Sequence, residues 1–349
     1  MTEISKLGEF GLINHLTSDI KPKNKETICG IGDDCAVLNY QNRQLLVTTD
    51  MLMEGVHFDL TYMPLKHLGY KSAMVNFSDI FAMGGMPKQI TISMAISKRF
   101  SVEDMEDFYA GLQLACDKWG VDIIGGDTTS SLTGMAISIT AIGEASDTPI
   151  LRKGAQPTNL ICVSGDLGAA YMGLQLLERE KAVYYQQLKD NPNDKSDFQP
   201  EFAGKEYIIE RQLKPEARGD IIAKLNATGI HPTAMIDISD GLSSELLHIC
   251  TQSHCGCRIY EKELPIDYQT AVMAEELGMN VTTFALNGGE DYELLFTVPI
   301  GNKEKIESID SIQMIGYITE DKYGCQLITR DNNEFELKAQ GWNPLKETK

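Results

Sequence analysis

The chain lacks any cysteine pair spaced C-x-x-C, although it holds 8 cysteines. Several of them, such as Cys162 in Leu160-Ile161-Cys162-Val163, stand inside apolar runs. That usage points to reduced thiols packed as small hydrophobes, and so to the cytoplasm, and excludes a disulfide framework. Cys250, Cys255 and Cys257 lie close in sequence, but their spacing is wrong for a zinc motif. No apolar run approaches the roughly 18 residues of a membrane-spanning helix. The opening MTEISKLGEFGLINHL has no basic start followed by an apolar block, so a secretory leader is not expected. Basic charge is scarce: 31 Lys and Arg face 50 Asp and Glu, a net charge of −19, which argues against a general nucleic-acid binder. The glycine-rich loop ending in Gly-Lys-Ser/Thr is missing, as are the H-R-D and D-F-G segments of protein kinases and the G-x-S-x-G elbow of hydrolases.

What remains is a globular composition, 42% hydrophobic and 23% charged, over 349 residues. That length suits two domains better than one core. Period-two alternation predicts strands over 90–97 (ITISMAIS) and 135–143 (MAISITAIG). Ser101 with Asp104 three residues on forms a capping box, which predicts a helix over 102–119. Residues 67–83 read as a buried helix. The polar break at 152–157 divides the chain, giving domains 1–150 and 151–349. In the second half, strands are expected at 160–164, 234–238, 292–298, 312–318 and 325–329. Helices are expected over 167–179 and from Asp240, with a loop over 187–205. The fold class is α+β: two domains, each a mixed, mostly antiparallel sheet backed by helices.

The acids are informative by position. Asp33-Asp34, Asp50, Asp79, Asp127, Asp237, Asp240 and Glu290-Asp291 come directly off apolar runs or beside glycines. Carboxylates at strand ends are partly desolvated, and several converging would repel unless cations separate them. Asp and Thr oxygens suit hard divalent cations that keep positions for water and phosphate. Asp240 and Asp166 precede helices and can equally be caps. Asp79 is different, because it interrupts a stretch that otherwise reads as buried helix, where an unpaired carboxylate costs several kcal/mol. Asn76 lies on the same face. His57 has no acid or nucleophile at a telling spacing.

Nine segments then fall in order along the chain: GEFGLI (8–13), GIGDDCAVL (30–38), TTDMLMEGVHF (48–58), YKSAMVNFSDIFAMGG (70–85), IIGGDTT (123–129), RKGAQP (152–157), IDISDGL (236–242), NGGEDYELLFT (287–297) and GW (341–342). This set resembles the thiamine-monophosphate kinases, within the aminoimidazole-ribonucleotide-synthetase-like superfamily. The resemblance implies ATP-dependent conversion of thiamine phosphate to thiamine diphosphate by direct in-line transfer, several Mg2+ ions, no covalent nucleophile, and a homodimer formed through the N-terminal sheets. It implies Asp34, Thr48, Thr49, Asp50, Asp79, Asp127, Asp237 and Asp240 as metal ligands. Tyr109, Gly126, Asp127, Arg152 and Ser239 would meet ATP, and His57, Glu290 and Trp342 the thiamine phosphate. Between Asp33 and Asp34, the match favours Asp34. The ending Asn343-Pro344-Leu345 departs from the usual Asp-His-Phe of the family.

Overall fold

Strand alternation in the first half builds one sheet, and apolar runs in the second half build another. A computed structural model of the chain describes residues 27–29, 32–40, 43–145, 148–190 and 198–340. The first sheet contains β1 (Thr27–Cys29), β2 (Ala36–Tyr40), β3 (Arg43–Met53), β4 (Gly85–Ile96), β5 (Asp122–Ser130) and β6 (Ala136–Ala145), in the order β1-β2-β3-β6-β4-β5. Only the β4–β5 pair is parallel. The second contains β7 (Leu160–Ser164), β8 (Ala234–Asp237), β9 (Cys255–Tyr260), β10 (Leu294–Val298), β11 (Ile312–Glu320), β12 (Cys325–Ile328) and β13 (Glu334–Glu336), in the order β13-β12-β9-β11-β7-β10-β8. Here only β9–β12 is parallel. The expected mixed, mostly antiparallel architecture is what forms.

Helix α1 (Leu65–Ala82) is central. It buries 14 of its residues, among them Phe77, Ile80 and Phe81, because it is apolar around most of its circumference. Helix α2 (Val102–Trp119) begins at the expected capping box, with Ser101 Oγ accepting from Asp104 N and the Asp104 carboxylate accepting from Ser101 N. The two helices touch at backbone level. A Cβ on Gly69 would stand 1.9 Å from Phe108 O, and one on Gly111 would stand 1.7 Å from Lys66 O, so neither position admits a side chain. One apolar cluster joins the first sheet, α1 and α2 to Met235, Leu294 and Phe296 of the second sheet. A second cluster fills the other face of that sheet under α6 (Leu242–Ser253), which follows α3 (Ala169–Asp190), α4 (Glu206–Leu213) and α5 (Gly219–Thr228).

Three expectations need correction. Helix α3 runs on to Asp190, so residues 187–190 are helical where a loop was expected. Helix α6 starts at Leu242, after Gly241 at φ 118°, and not at Asp240. Strand β5 was not expected at all. Its Gly-Gly pair and exposed residues carry no alternation, and it exists through its parallel pairing with β4. No helix among the described residues is long and apolar enough to cross a membrane.

Candidate active site

The pleat of β3 places Thr48 and Asp50 on the face toward α1, while Thr49 points the other way. Asp79 projects from the last turn of α1 toward that face, and Thr48 Oγ1 donates to Asp79 Oδ2 at 2.6 Å. The preceding residue, Ser78, is buried and donates to Asp237 Oδ2 at 2.6 Å. Asp237 closes β8, and Asp34 sits in the bend before β2. Carboxylate oxygens of Asp34, Asp79 and Asp237 all lie within 4.8 Å of one another. The bend before β2, helix α1 and strand β8 of the second sheet therefore meet at one point.

Such a group is electrostatically unfavourable alone. Two unit charges about 4 Å apart repel by about 4 kcal/mol at an effective dielectric of about 20. Burial, then Asp50, Asp237 and Asp34, push Asp79 well above the usual carboxylate range. Burial and Asp34 raise Asp237, against the opposing hydrogen bond from Ser78. Burial and Asp34 raise Asp50 to about 6. Arg152 offsets part of this, its Nη2 donating to Asp34 Oδ1 at 2.7 Å. Asp33 turns aside to accept from Arg152 N at 3.2 Å and from Asp34 N at 3.1 Å, so Asp34 is the one that meets the other acids.

The donor set fits a hard divalent cation. Its atoms are all oxygen, and Asp34 Oδ2 is buried with no hydrogen-bond partner, as is Asn76 Oδ1 on α1. A cation would satisfy the first of these and separate the carboxylates.

The other residues that the resemblance implied are spread more widely. Thr49 Oγ1 donates to Ile139 O at 3.0 Å on the outer face of the sheet, so its side chain is not turned to the acids. Asp127 is exposed on β5, with Oδ1 accepting from Thr128 N. Its neighbour Gly126 has no room for a Cβ, which would stand 1.9 Å from Ile92 O. Tyr109 is exposed on α2 with its ring edge-on to Phe108, and no described hydrogen bond or ring contact joins it to the acids. Ser239 and Asp240 follow Asp237, and their backbone N–H groups donate to Glu245 Oε1. His57 lies in the turn after β3, its Nδ1 accepting from Met53 N at 3.0 Å. Trp342 lies outside the described residues.

Sequence reasoning missed the supports. Lys71 of α1 is fully buried, yet its ammonium reaches Glu290 Oε2 at 3.0 Å and Gln212 O at 3.2 Å. Gln212 also donates to Glu290 Oε2 at 2.9 Å, and Glu290 itself is held at φ 57°. Its neighbours Asp291 and Glu293 are structural: both are buried and face Arg211, and Arg218 also pairs with Glu293. Glu245 is buried inside α6 and raised by burial and by Asp240. A lysine in a helical apolar stretch was the one visible signal.

The model of the AIR synthase related protein N-terminal domain matches residues 32–145. Thiamine-monophosphate kinase of Aquifex aeolicus is 35% identical over 91% of this chain and 93% of its own. That of Bacillus subtilis is 32% identical over 97% of this chain and 100% of its own. The solved structure of AaThiL complexed with AMPPCP and TMP superposes with a TM-score of 0.82 at 33% identity, covering 99% of each chain.

Proposed function

The chain belongs to the thiamine-monophosphate kinase family, and from that premise we propose that its acid cleft catalyses magnesium-assisted, direct in-line transfer of the ATP γ-phosphate to thiamine phosphate. The enzyme is thus a thiamine-phosphate kinase, and its product is thiamine diphosphate. The observation that carries the reading is the meeting of Asp34, Asp79 and Asp237 within 4.8 Å, from a bend, helix α1 and strand β8 far apart in sequence.

In this reading Asp34, Thr48, Thr49, Asp50, Asp79, Asp127, Asp237 and Asp240 hold the ions. Thr49 would contribute through its backbone, since its hydroxyl is committed to Ile139 O. Bound Mg2+ supplies the positive charge that lets phosphate oxygens approach a carboxylate-rich wall and that offsets charge developing on them. Arg152, paired with Asp34 in this state, is the cation that can turn to phosphate once Asp34 is engaged. Gly126, Asp127, Ser239 and Tyr109 complete the nucleotide site. His57, Glu290 and Trp342 receive thiamine phosphate. Lys71 and Gln212 fix the Glu290 carboxylate, so that it faces the substrate cation without a rotamer search. Among the described residues no activated nucleophile stands beside the acids, so in this reading the chain's work is to position two substrates and neutralise charge.

The reading extends to the two domains, 1–150 and 151–349, and to a homodimer. Support for the dimer comes from the first sheet, where Ile28, Met51, Met53, Met86 and Ile124 are exposed. It also extends to the cytoplasm, where free thiols stay reduced.

The test is turnover with γ-labelled ATP and thiamine phosphate in Mg2+. ADP and labelled thiamine diphosphate should form in equal amounts, and the protein should remain unlabelled when the acceptor is withheld. A stable labelled side chain would refute direct transfer, and an absence of labelled product would refute the activity.

A further inference from the structure

A second cluster lies away from the acids. Cys255 and Cys257 alternate along β9 and therefore share a face. β12 pairs with β9 in register, Cys325 beside Cys257. Cys250 lies in the last turn of α6, and the single residue His254, at φ 52°, turns the chain straight from that helix into β9. The turn folds Cys250 back over the strands. The Sγ atoms of Cys250, Cys257 and Cys325 all lie within 4.8 Å of one another, and Cys250 also makes a thiol contact with Cys255. Cys250, Cys255 and Cys257 are buried, whereas Cys325 is partly exposed and gives an ion a route in.

We propose that Cys250, Cys257 and Cys325, with Cys255 as the fourth ligand, form a structural zinc site. Four thiolates select a thiophilic tetrahedral ion, and Zn–S bonds of about 2.3 Å put sulfurs roughly 3.8 Å apart. Three of the sulfurs already lie within 4.8 Å of one another. Each thiol releases its proton to solvent on binding.

The position gives the ion a task. The end of α6 also carries Gln252, whose Nε2 donates to Gly32 O at 2.8 Å, and Ser253, whose Oγ accepts from Gly154 N at 3.1 Å and Ala155 N at 3.2 Å. Those loops carry Asp33, Asp34 and Arg152. A clamp on α6, β9 and β12 therefore steadies the acid cleft from behind without touching substrate.

The test starts with the full chain purified from zinc-supplemented cells. One equivalent of zinc per chain is expected, with a sulfur shell near about 2.3 Å by X-ray absorption. Exchange with Co2+ should give sulfur-to-cobalt charge-transfer absorption, which a carboxylate site cannot produce. Cys325→Ser, at the exposed edge, should lose most of the zinc and the absorption. Asp79→Asn should keep both. If Cys250→Ser fails to fold, the wild-type measurements and Cys325→Ser still decide. Wild-type protein with less than a tenth of an equivalent of zinc and no sulfur-to-cobalt band would overturn the proposal. So would freshly isolated protein in which these cysteines are paired as disulfides.

Discussion

The acid cluster and the cysteine cluster have the same plan and opposite chemistry. Each brings three like groups within 4.8 Å from three elements. The acids come from the bend before β2 of the first sheet, from helix α1 and from β8 of the second sheet, and so meet at the seam between the sheets, whereas the cysteines belong to one sheet and its helix. Carboxylates at a seam repel one another and are suited to hydrated cations that hold phosphate and come and go with substrate. Thiolates inside one layer close around a resident ion. The difference teaches that a cluster's location, as much as its ligand type, separates a reacting site from a staple.

Breaking the acid cluster should have the largest effect on chemistry. Asp79→Asn is expected to lower kcat/KM by about a thousandfold, roughly 4 kcal/mol of transition-state stabilisation. The variant should stay folded, and without metal it should melt at a higher temperature than wild type, because a buried carboxyl that must either repel its neighbours or take up a proton is gone. Steady-state kinetics at saturating Mg2+, beside a melting curve, checks both halves. Near-normal turnover would remove Asp79 from the metal site.

Thr48→Val sharpens the same point more gently. The variant keeps the shape and loses the 2.6 Å hydrogen bond to Asp79. A bond to a charged group is worth about 1.5–3 kcal/mol. The expected fall in kcat/KM is therefore about 10- to 100-fold, with a melting temperature lower by a few degrees.

The metal-free protein should also report the acids through pH. Asp50 is raised to about 6, and Asp79 and Asp237 are raised further. These folded-state carboxyls hold protons that the unfolded chain has released above about pH 4. Stability should therefore fall as pH rises from about 4 through 6 and beyond, the opposite of a salt-bridged carboxylate. Mg2+ with an ATP analogue should flatten that slope, since the cation replaces the protons. Thermal melts from pH 5 to pH 8 with EDTA and with Mg2+ would show it; a metal-free melting temperature that climbs over this range contradicts the repulsion.

Much of this was legible in the sequence for a physical reason. Strands β4 and β6 alternate, α2 carries its cap, and Asp79 contradicts the apolar helix around it. Those signals are local. Strand β5 was not legible, because its partner β4 holds it and its own residues do not. The turn of Thr49 away from the acids follows from a pleat register that ligand type alone does not reveal. Cys325 lies 68 residues from Cys257, so only the β9–β12 pairing could unite them. Spacing rules written for short zinc loops do not see a site built across strands. Lys71 was visible as a lysine out of place, but its partner Glu290 is 219 residues away.

The smallest expected effect belongs to Trp342. An aromatic face can hold the thiazolium cation by stacking and cation–π attraction, worth roughly 0.5–2 kcal/mol. That contact is alike in ground and transition states, so Trp342→Ala should raise the KM for thiamine phosphate by about 3- to 30-fold. The KM for ATP and kcat should barely move. A variant that changed both substrates alike, or lost stability broadly, would make Trp342 a packing anchor.

The claim that the acids are a metal site is tested most directly by counting ions. Mn2+ can stand in for Mg2+, and its electron paramagnetic resonance signal distinguishes free from bound ion. With the wild-type protein and saturating AMPPCP, bound Mn2+ should exceed the one ion that the nucleotide carries by itself. Asp79→Asn should lose that excess while still binding AMPPCP. An equal count of bound Mn2+ in the two proteins would contradict the account.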